Sequence, residues 1–548
     1  MNSDRVLQRY QTTDGAGKLF NFRPVFFCAL ALSMGIIFAY LVLFCGVSAR
    51  WLLCLLPVAA TPLFFWKNRN KLKRVFVATL AVFVFFSAGY TGFQMQVAQF
   101  NDVGRYQGEV TVNGRIIEKS QHGDSLCVIM DSVMVGNIKE KGKLVAYLPI
   151  TFFDKCVLSD EITLCGRIRN QMLTDENGEL YSTFLANDER LVLYADSYAI
   201  TGHKASLFLA VRNRIEEVAY ACMDKETAAF TVAVLTGNTS GIETETLENV
   251  RFGGVAHIFA VSGLHIGAVF AFCLWLASTL LDRFPKWIQF LFTATILLFY
   301  GGVCGFSASV IRATVMCLLL YFCNLSGISF DSTERLAAAH ALVLLLSPSS
   351  LFTLGFQLSF AACYGIVWIA PPLYKQMQSV CELFYPPRKS KKGDSLPLNV
   401  PERIRRSIIS FLSVTIAAQA FTAPISIIAF GYFSWISLLL NCLFVPLVSV
   451  AFAFLLALVL LSCILPLVCG TIILYAPNVV LSVLLLLFQL TDFSKLKLVC
   501  ELGLATCIAW YTFLMLCTDK WNLSRKELLV GRITMFLVFA ATVYATNM

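Results

Sequence analysis

The sequence Gly-Gly-Val-Ala-His-Ile-Phe-Ala-Val-Ser-Gly-Leu-His, residues 253–265, opens an apolar run that is long enough to cross a membrane. His257, Ser262 and His265 stand in this run among apolar neighbours. An ionisable group at bilayer depth costs on the order of 2 to 3 kcal/mol or more unless it faces a cavity, a partner or a pathway. The stretch therefore predicts a membrane helix with polar residues that have a task.

The composition of the chain is that of an integral membrane protein. Hydrophobic residues make up 57% of the 548 residues and charged residues only 14%. A soluble globular protein carries about 25% charged residues. Most of the 19 cysteines, for example Cys273, Cys317 and Cys442, lie in apolar runs, where a thiol behaves as a small hydrophobic side chain.

Charge places the start of the chain inside the cell. Apolar runs cover residues 25–47, 51–66 and 75–93, and five Lys and Arg residues separate the second run from the third. Cytoplasmic loops carry an excess of Lys and Arg, so we expect this loop and the basic N-terminus in the cytoplasm. Residues 1–100 are predicted to be an N-terminal transmembrane segment of about three helices, without a cleavable signal peptide, that leads to the outside.

Residues 101–203 form the one sizeable polar region. Segments rich in Val, Ile, Tyr and Thr, separated by Gly, Asn and Asp, predict five β-strands at 106–118, 125–135, 143–153, 161–169 and 190–200. The fold class that follows is a polytopic α-helical membrane protein with a small extracytoplasmic all-β, OB-like domain. Among the three cysteines of this domain, Cys127 and Cys165 fall in predicted strands, and an extracytoplasmic location favours a disulfide between them.

The charge of the β domain is negative. Residues 101–203 hold 10 Lys and Arg against 15 Asp and Glu, a net charge of about −5. Affinity for nucleic acid comes mainly from cations on phosphates, so this balance argues against a broad nucleic-acid-binding face. A local groove remains open as an alternative, lined by Arg105, Arg115, Arg167 or Arg169.

Residues 204–250 and 251–548 are predicted to differ in how they meet the membrane. Residues 204–224 have the apolar spacing of an interfacial amphipathic helix, and the helix near 228–235 is short enough to be re-entrant. About ten transmembrane helices are then expected near 255–281, 287–303, 308–325, 335–347, 351–370, 407–430, 435–463, 470–490, 499–517 and 533–546. Pro446 leaves open whether 435–463 is one helix or two, and the basic residues of 388–406 indicate a cytoplasmic loop.

Four segments of this helical part resemble the ComEC/Rec2 family of competence proteins. They are residues 252–267, Ser-Val-Ile-Arg-Ala at 309–313, Gly-Phe-Gln-Leu-Ser-Phe at 355–360, and the stretch from Ala423-Pro424 through Asn441 to Pro446. The resemblance implies that residues 251–548 are a competence transmembrane domain. It also implies an inner-membrane channel that translocates single-stranded DNA into the cytoplasm during natural transformation.

The resemblance further implies what the chain lacks and needs. Many family members carry a metallo-β-lactamase-like domain, but no His-x-His-x-Asp-His motif occurs here, so we expect neither an enzyme nor a metal or other cofactor. No Gly-x-x-x-x-Gly-Lys-Ser/Thr loop occurs either, so the energy is expected from a cytoplasmic helicase or translocase motor or from the membrane gradient. The other expected partners are an extracytoplasmic DNA-receptor protein, a separate nuclease, membrane lipid and a second copy in a homo-oligomer.

Polar residues in the apolar runs are the candidate lining of the DNA pathway or its gate. They are His257, Ser262, His265, Arg312, Gln357, Ser359 and Asn441. The two histidines share a helix face, and the planar donor fork of Arg312 suits phosphates. The alternatives are structural hydrogen bonding for His257, Ser262 and His265, and snorkelling to an interface for Arg312. Gln357 and Ser359 favour an interhelical hydrogen bond, and Asn441 favours a broken helix that lines a cavity.

Two other functions stay open. One is a polytopic transporter of a small polar solute or envelope metabolite, which broken helices near the membrane midplane would serve equally. The other is an intramembrane hydrolase with Ser262 as nucleophile and His265 as base, although the sequence offers no evident orienting group or oxyanion donors.

Overall fold

The computed structural model describes most of the chain. The described residues are 23–48, 50, 69–101, 109–122, 125–136, 138–140, 142–152, 160–170, 182–203, 207–255, 261, 263–327, 331–384, 400–490, 497–499, 501–518 and 525–547. The strands are β1 (Glu109–His122), β2 (Ser125–Val135), β3 (Ile138–Lys139), β4 (Lys143–Pro149), β5 (Asp160–Asn170), β6 (Glu189–His203), β7 (Tyr432–Ser434) and β8 (Lys497–Val499). The helices are α1 (Pro24–Phe44), α2 (Arg69–Asn101), α3 (Ser182–Asn187), α4 (Leu207–Cys222), α5 (Lys225–Thr236), α6 (Thr244–Phe252), α7 (Gly263–Leu280), α8 (Lys286–Val303), α9 (Ala308–Leu325), α10 (Ser332–Leu346), α11 (Leu354–Trp368), α12 (Ala370–Phe384), α13 (Val400–Phe430), α14 (Ser437–Ile464), α15 (Leu467–Leu490), α16 (Leu504–Leu516) and α17 (Arg525–Asn547).

Several helices of the described chain have the length and hydropathy to cross a membrane. Six stretches qualify, namely Pro24–Phe44, Phe76–Phe100, Gly263–Leu280, Lys286–Val303, Glu402–Phe430 and Ser437–Cys463. A seventh arises if α11 and α12, which meet at a bend of 48°, count as one broken span. The prediction of a mostly helical chain with a small β region is confirmed, and several of its apolar helices could span a membrane by length and composition.

Two glycines set the packing of the first two long helices. A Cβ added to Gly35 would lie 2.1 Å from the carbonyl oxygen of Phe86, and a Cβ added to Gly89 would lie 2.2 Å from the carbonyl oxygen of Leu32. Both distances are shorter than any real contact, so only glycine lets α1 and α2 approach this closely. Small residues serve the same purpose in membrane helix pairs generally.

The polar region folds into a sheet that closes on itself. Strand β1 pairs with β5, β5 with β6, β6 with β4, β4 with β2, and β2 again with β1. The β4–β6 pair is parallel and the other pairs are antiparallel. Its interior is apolar, with Val112, Ile116, Leu144 and Leu193 fully buried. All five predicted strands are confirmed, whereas β3 and α3 were not predicted.

The helix boundaries depart from the sequence prediction at the start of α7 and answer an open question at α14. Helix α7 begins at Gly263, so residues 253–255 and 261 precede it, although the sequence predicts a helix over 255–281. Helix α14 runs through Pro446 without a break, which answers the question about 435–463 in favour of one helix. Helix α5 is short and almost wholly buried from Thr227 to Thr236, as a re-entrant helix would be.

Candidate functional site

The segment that leads into α7 packs against the start of α9. The Ser309 hydroxyl donates a hydrogen bond of 2.7 Å to the Val261 carbonyl. Next to it, a Cβ added to Gly263 would lie 3.8 Å from the Ala313 Cβ. Ser309 and Ala313 are one helical turn apart and therefore share a face of α9. The structure thus brings the first two of the four sequence segments into contact.

Arg312 joins the start of α9 to the start of α11. Its side chain is 2% exposed, and its Nη2 donates a hydrogen bond of 2.9 Å to the Gly355 carbonyl. Within the described residues its Nε and Nη1 are buried without a hydrogen-bond partner. Protein encloses the guanidinium, so the structure does not favour the alternative in which Arg312 snorkels to an interface. The contact adds the third sequence segment to the first two.

The fourth segment reaches the same place through α14. Gly254 adopts φ +72, and a Cβ added to it would lie 2.5 Å from the Ser437 Cβ at the start of α14. A residue with a side chain fits neither this conformation nor this approach. Further along, the His265 ring is 1% exposed and its centroid lies 4.5 Å from that of Phe452. The first turn of α7 is therefore held between α9 and α14.

The region in which the starts of α7, α9, α11 and α14 are joined is called the junction. The remaining predicted residues occupy different positions around it. Gln357 donates a hydrogen bond of 3.1 Å to the Leu351 carbonyl in the turn before α11, so it closes its own helix start instead of bridging two helices. Ser359 is half-buried on α11. Asn441 lies one turn beyond Ser437 on α14, and its Oδ1 is buried with no hydrogen-bond partner among the described residues. Among the described residues, neither Gln357 nor Ser359 forms a hydrogen bond with Arg312.

The end of α5 is a part of the junction that the sequence did not reveal. The Tyr300 hydroxyl donates a hydrogen bond of 2.8 Å to the Leu235 carbonyl, and the Cys304 thiol lies 3.7 Å from the same oxygen. Gly237 follows with φ +81, and a Cβ added there would lie 3.5 Å from Val261. The buried short helix α5 therefore ends where the chain enters α7. Only the length of the apolar run hinted at this arrangement.

Some predicted residues lie outside the described part of the chain. These are His257 and Ser262, so the pathway, structural and hydrolase interpretations of this pair stay predictions. Within the described residues there is no group of three or more His, Cys, Asp or Glu side chains that could hold a metal ion.

The predicted bridge between Cys127 and Cys165 is absent from the structure. Both are free cysteines. Cys127 on β2 lies opposite Ser120 of β1, whereas Cys165 on β5 lies opposite Thr111 of β1. Those two partners are nine positions apart, which corresponds to about 30 Å of extended strand. Falling in a strand was too weak a criterion, because the pairing register decides which cysteines meet.

The outside of the barrel carries a stacked pair of tyrosines. The rings of Tyr147 on β4 and Tyr194 on β6 lie 5.5 Å apart at an angle of 18°. Tyr194 is exposed, and the exposed Arg167 lies opposite it on β5. Arg115 is instead engaged by Asp131, with bonds of 3.0 and 2.6 Å that raise the pKa of its guanidinium. Arg105 and the side chain of Arg169 lie outside the described part.

Comparison with known proteins gives a family. Residues 234–523, more than half of the chain, match the family model described as "Competence protein". The chain is 25% identical over 243 residues to "ComE operon protein 3" of Bacillus subtilis (strain 168). That match covers 43% of this chain and 27% of the relative, so it spans about a quarter of the relative's length. No solved structure matches the chain. All four sequence segments that meet around α7 lie within the matched residues, and the chain belongs to the competence protein family.

Proposed function

We propose that this protein is an inner-membrane channel that translocates single-stranded DNA into the cytoplasm during natural transformation. Competence is the state in which a cell takes up DNA, so membership of the family supports this role. The observation that carries the proposal is the meeting of four separate chain segments around the first turns of α7, α9 and α11. Three contacts join segments that lie far apart in the sequence: Ser309 with Val261, the buried cation Arg312 with Gly355, and Gly254 with Ser437.

The β region is proposed to be an extracytoplasmic OB-like domain that meets DNA first. What supports this is its five-stranded closed circuit with one parallel pair, β4 with β6, together with the outward tyrosine stack. OB-type barrels bind single strands by stacking bases on aromatic rings beside basic groups. Tyr147, Tyr194 and Arg167 supply such a surface. The negative net charge of residues 101–203 implies a local patch and not a whole face.

The route through the membrane is proposed to pass the junction of α7, α9, α11 and α14. The residues assigned to its lining or gate are His257, Ser262, His265, Arg312, Gln357, Ser359 and Asn441. Three buried polar atoms without a hydrogen-bond partner among the described residues support a role beyond packing, namely Arg312 Nε, Arg312 Nη1 and Asn441 Oδ1. In the described state these groups are enclosed, which corresponds to a closed gate.

The membrane arrangement and the partners are part of the proposal. We place the protein in the bacterial inner membrane as a multi-pass protein with a cytoplasmic N-terminus. The domain limits are those of the sequence prediction, 1–100, 101–203, 204–250 and 251–548. A cytoplasmic helicase or translocase would act at the basic residues 388–406, and a DNA receptor and a nuclease would act on the outer side. Membrane lipid surrounds the helices, and a homo-oligomer is a further part of the arrangement.

The experiment is deletion of the gene, with the resulting transformation frequency measured against the parent and a complemented strain. The expected result is loss of transformation in the deletion strain and recovery on complementation. A transporter of a small polar solute is the alternative, because the bend of 48° between α11 and α12 would also suit one. Normal transformation in the deletion strain would contradict the proposal. Ser262→Ala tests the hydrolase alternative, since unchanged activity eliminates a serine nucleophile.

A further inference from the structure

Among the residues that the structure describes, Arg312 is a buried cation without a counter-charge. Its guanidinium has five N–H donors, and its hydrogen bond goes to the neutral Gly355 carbonyl. No salt bridge to it occurs in the part of the chain that the structure describes. Helices α7, α9 and α11 contain no Asp or Glu. A buried charge of this kind is destabilising unless something neutralises it.

The helix ends that lie near Arg312 do not neutralise its charge. Arg312 meets α11 in its first turn, where free backbone amides give the helix a partial positive charge. Helix α7 also begins beside α9, against Ala313, the neighbour of Arg312. The last turn of α8 has the opposite polarity, but Gly301 in that turn packs on Val310. Val310 is two residues from Arg312 and so lies about 200° away around α9.

The guanidinium is enclosed, yet the helix starts around it are accessible. Gly355 is exposed, and so are Gly263 and Leu264 in the first turn of α7. The three residues before α9, Gly305 to Ser307, are mostly exposed as well. A small displacement of the α11 start would therefore uncover Arg312. Because Gly355 has no side chain, only backbone covers the guanidinium at this point.

We infer that Arg312 and the N-terminus of α11 form an anion subsite for one phosphodiester group of the transported strand. In the closed state the Gly355 carbonyl accepts the hydrogen bond from Arg312 Nη2. On opening, phosphate oxygens replace this carbonyl and bind the guanidinium fork, close to the partial positive charge of the first turn of α11. This inference rests on the proposed function, since the DNA backbone is the source of the phosphate. It assigns a ligand chemistry to Arg312 and a gating role to its bond with Gly355.

The test uses the purified full chain in detergent and two fluorescent probes of the same sequence. One probe is a single-stranded oligodeoxynucleotide, and the other is a peptide nucleic acid, whose backbone is uncharged. We expect Arg312→Gln to weaken binding of the DNA probe by about tenfold to 100-fold, in line with the loss of a charge-assisted contact. Binding of the uncharged probe should not change. Arg312→Lys should fall between, because it keeps the charge and loses the fork.

The matched control is Arg283→Gln. Arg283 is an exposed cation in the turn after α7, at the other end of that helix from Gly263. Arg283→Gln removes one positive charge, as Arg312→Gln does, and we expect it to change the affinity for the DNA probe by less than twofold. An equal loss in both variants, or unchanged DNA binding in Arg312→Gln, would overturn the subsite.

A measurement on the unaltered protein covers the case in which Arg312→Gln does not fold. Inorganic phosphate at low millimolar concentration should raise the melting temperature relative to chloride at equal ionic strength, with a dependence on concentration that a single site explains, because non-specific stabilisation by phosphate needs much higher concentrations. No difference from chloride would count against the subsite. Stabilisation by phosphate without tighter binding of DNA than of the uncharged probe would assign the site to free phosphate and overturn the DNA source. The deletion strain tests the channel independently of the subsite. If the deletion abolishes transformation while Arg312→Gln binds DNA as the parent does, the channel is supported and the subsite is excluded.

Discussion

The hydroxyl of Ser309 donates a hydrogen bond of 2.7 Å to the carbonyl of Val261, and this bond ties the start of α9 to the chain that enters α7. Val261 is buried, so water does not readily replace the hydroxyl. We predict that Ser309→Ala destabilises the protein by about 1–3 kcal/mol, because it leaves a buried carbonyl unsatisfied. Thermal unfolding in detergent checks this. Ser309→Thr retains a hydroxyl and is the control, and equal melting temperatures for the alanine variant and the parent would refute the prediction.

The crossing of α1 and α2 predicts a strong effect at Gly89. In Gly89→Ala the added Cβ would meet the Leu32 carbonyl oxygen at 2.2 Å, so the two helices must separate. Overpacking of this kind costs about 1–3 kcal/mol. Gly267→Ala is the matched control, because a Cβ there meets nothing within 4 Å. We expect a lower melting temperature for Gly89→Ala alone, and a similar fall in both variants would show that helix separation is not the cause.

The two barrel cysteines should differ in reactivity. Cys165 is exposed, whereas Cys127 is buried, and burial raises the pKa of the Cys127 thiol. A raised pKa means that less thiolate is present at neutral pH, and the thiolate is the form that reacts. Maleimide labelling followed by peptide mass spectrometry should show fast modification of Cys165 and slow modification of Cys127, which speeds up as the pH rises. A peptide pair joined through Cys127 and Cys165 under non-reducing conditions would contradict the register of the barrel.

The tyrosine stack predicts a loss of single-strand binding when its rings are removed. Stacking of a base on an aromatic ring contributes about 1–3 kcal/mol, or roughly fivefold to 150-fold in affinity. The double change Tyr147→Ala with Tyr194→Ala should therefore weaken binding of single-stranded DNA within that range. The double change to phenylalanine keeps both rings and should preserve binding. Equal affinity in the alanine variant and the parent would exclude the barrel patch as a DNA contact.

Apolar periodicity was enough to predict much of the architecture. The five strands of the barrel and most long helices follow from residue patterns that act locally, such as the alternation along β2 and the apolar run of α1. The family segments also pointed to Arg312 and to residues 355–360. What the sequence could not give was the pairing in space. Whether Cys127 meets Cys165 depends on strand register, and the bond from Arg312 to Gly355 depends on how α9 and α11 dock.

The start of α7 shows a different limit. An unbroken apolar run over 255–281 predicts one helix, yet the described helix begins at Gly263. Val261 lies outside a helix and its carbonyl accepts a hydrogen bond from Ser309, a tertiary contact that local periodicity does not reveal. Ser309 was not singled out from the sequence. Its contact could have been anticipated, because Ser309 stands three residues before Arg312 in the same segment. A polar residue at that spacing marks the same side of a helix.

Uptake of labelled DNA measures directly whether the protein carries DNA across the membrane. Competent cells are given DNA labelled throughout one strand, and the label that becomes resistant to added nuclease and reaches the cytoplasm is measured. We predict that cells without the gene bind DNA at the surface but internalise almost none, and that complementation restores internalisation. Normal accumulation of labelled strand in the cytoplasm of cells without the gene would show that the protein is not the channel.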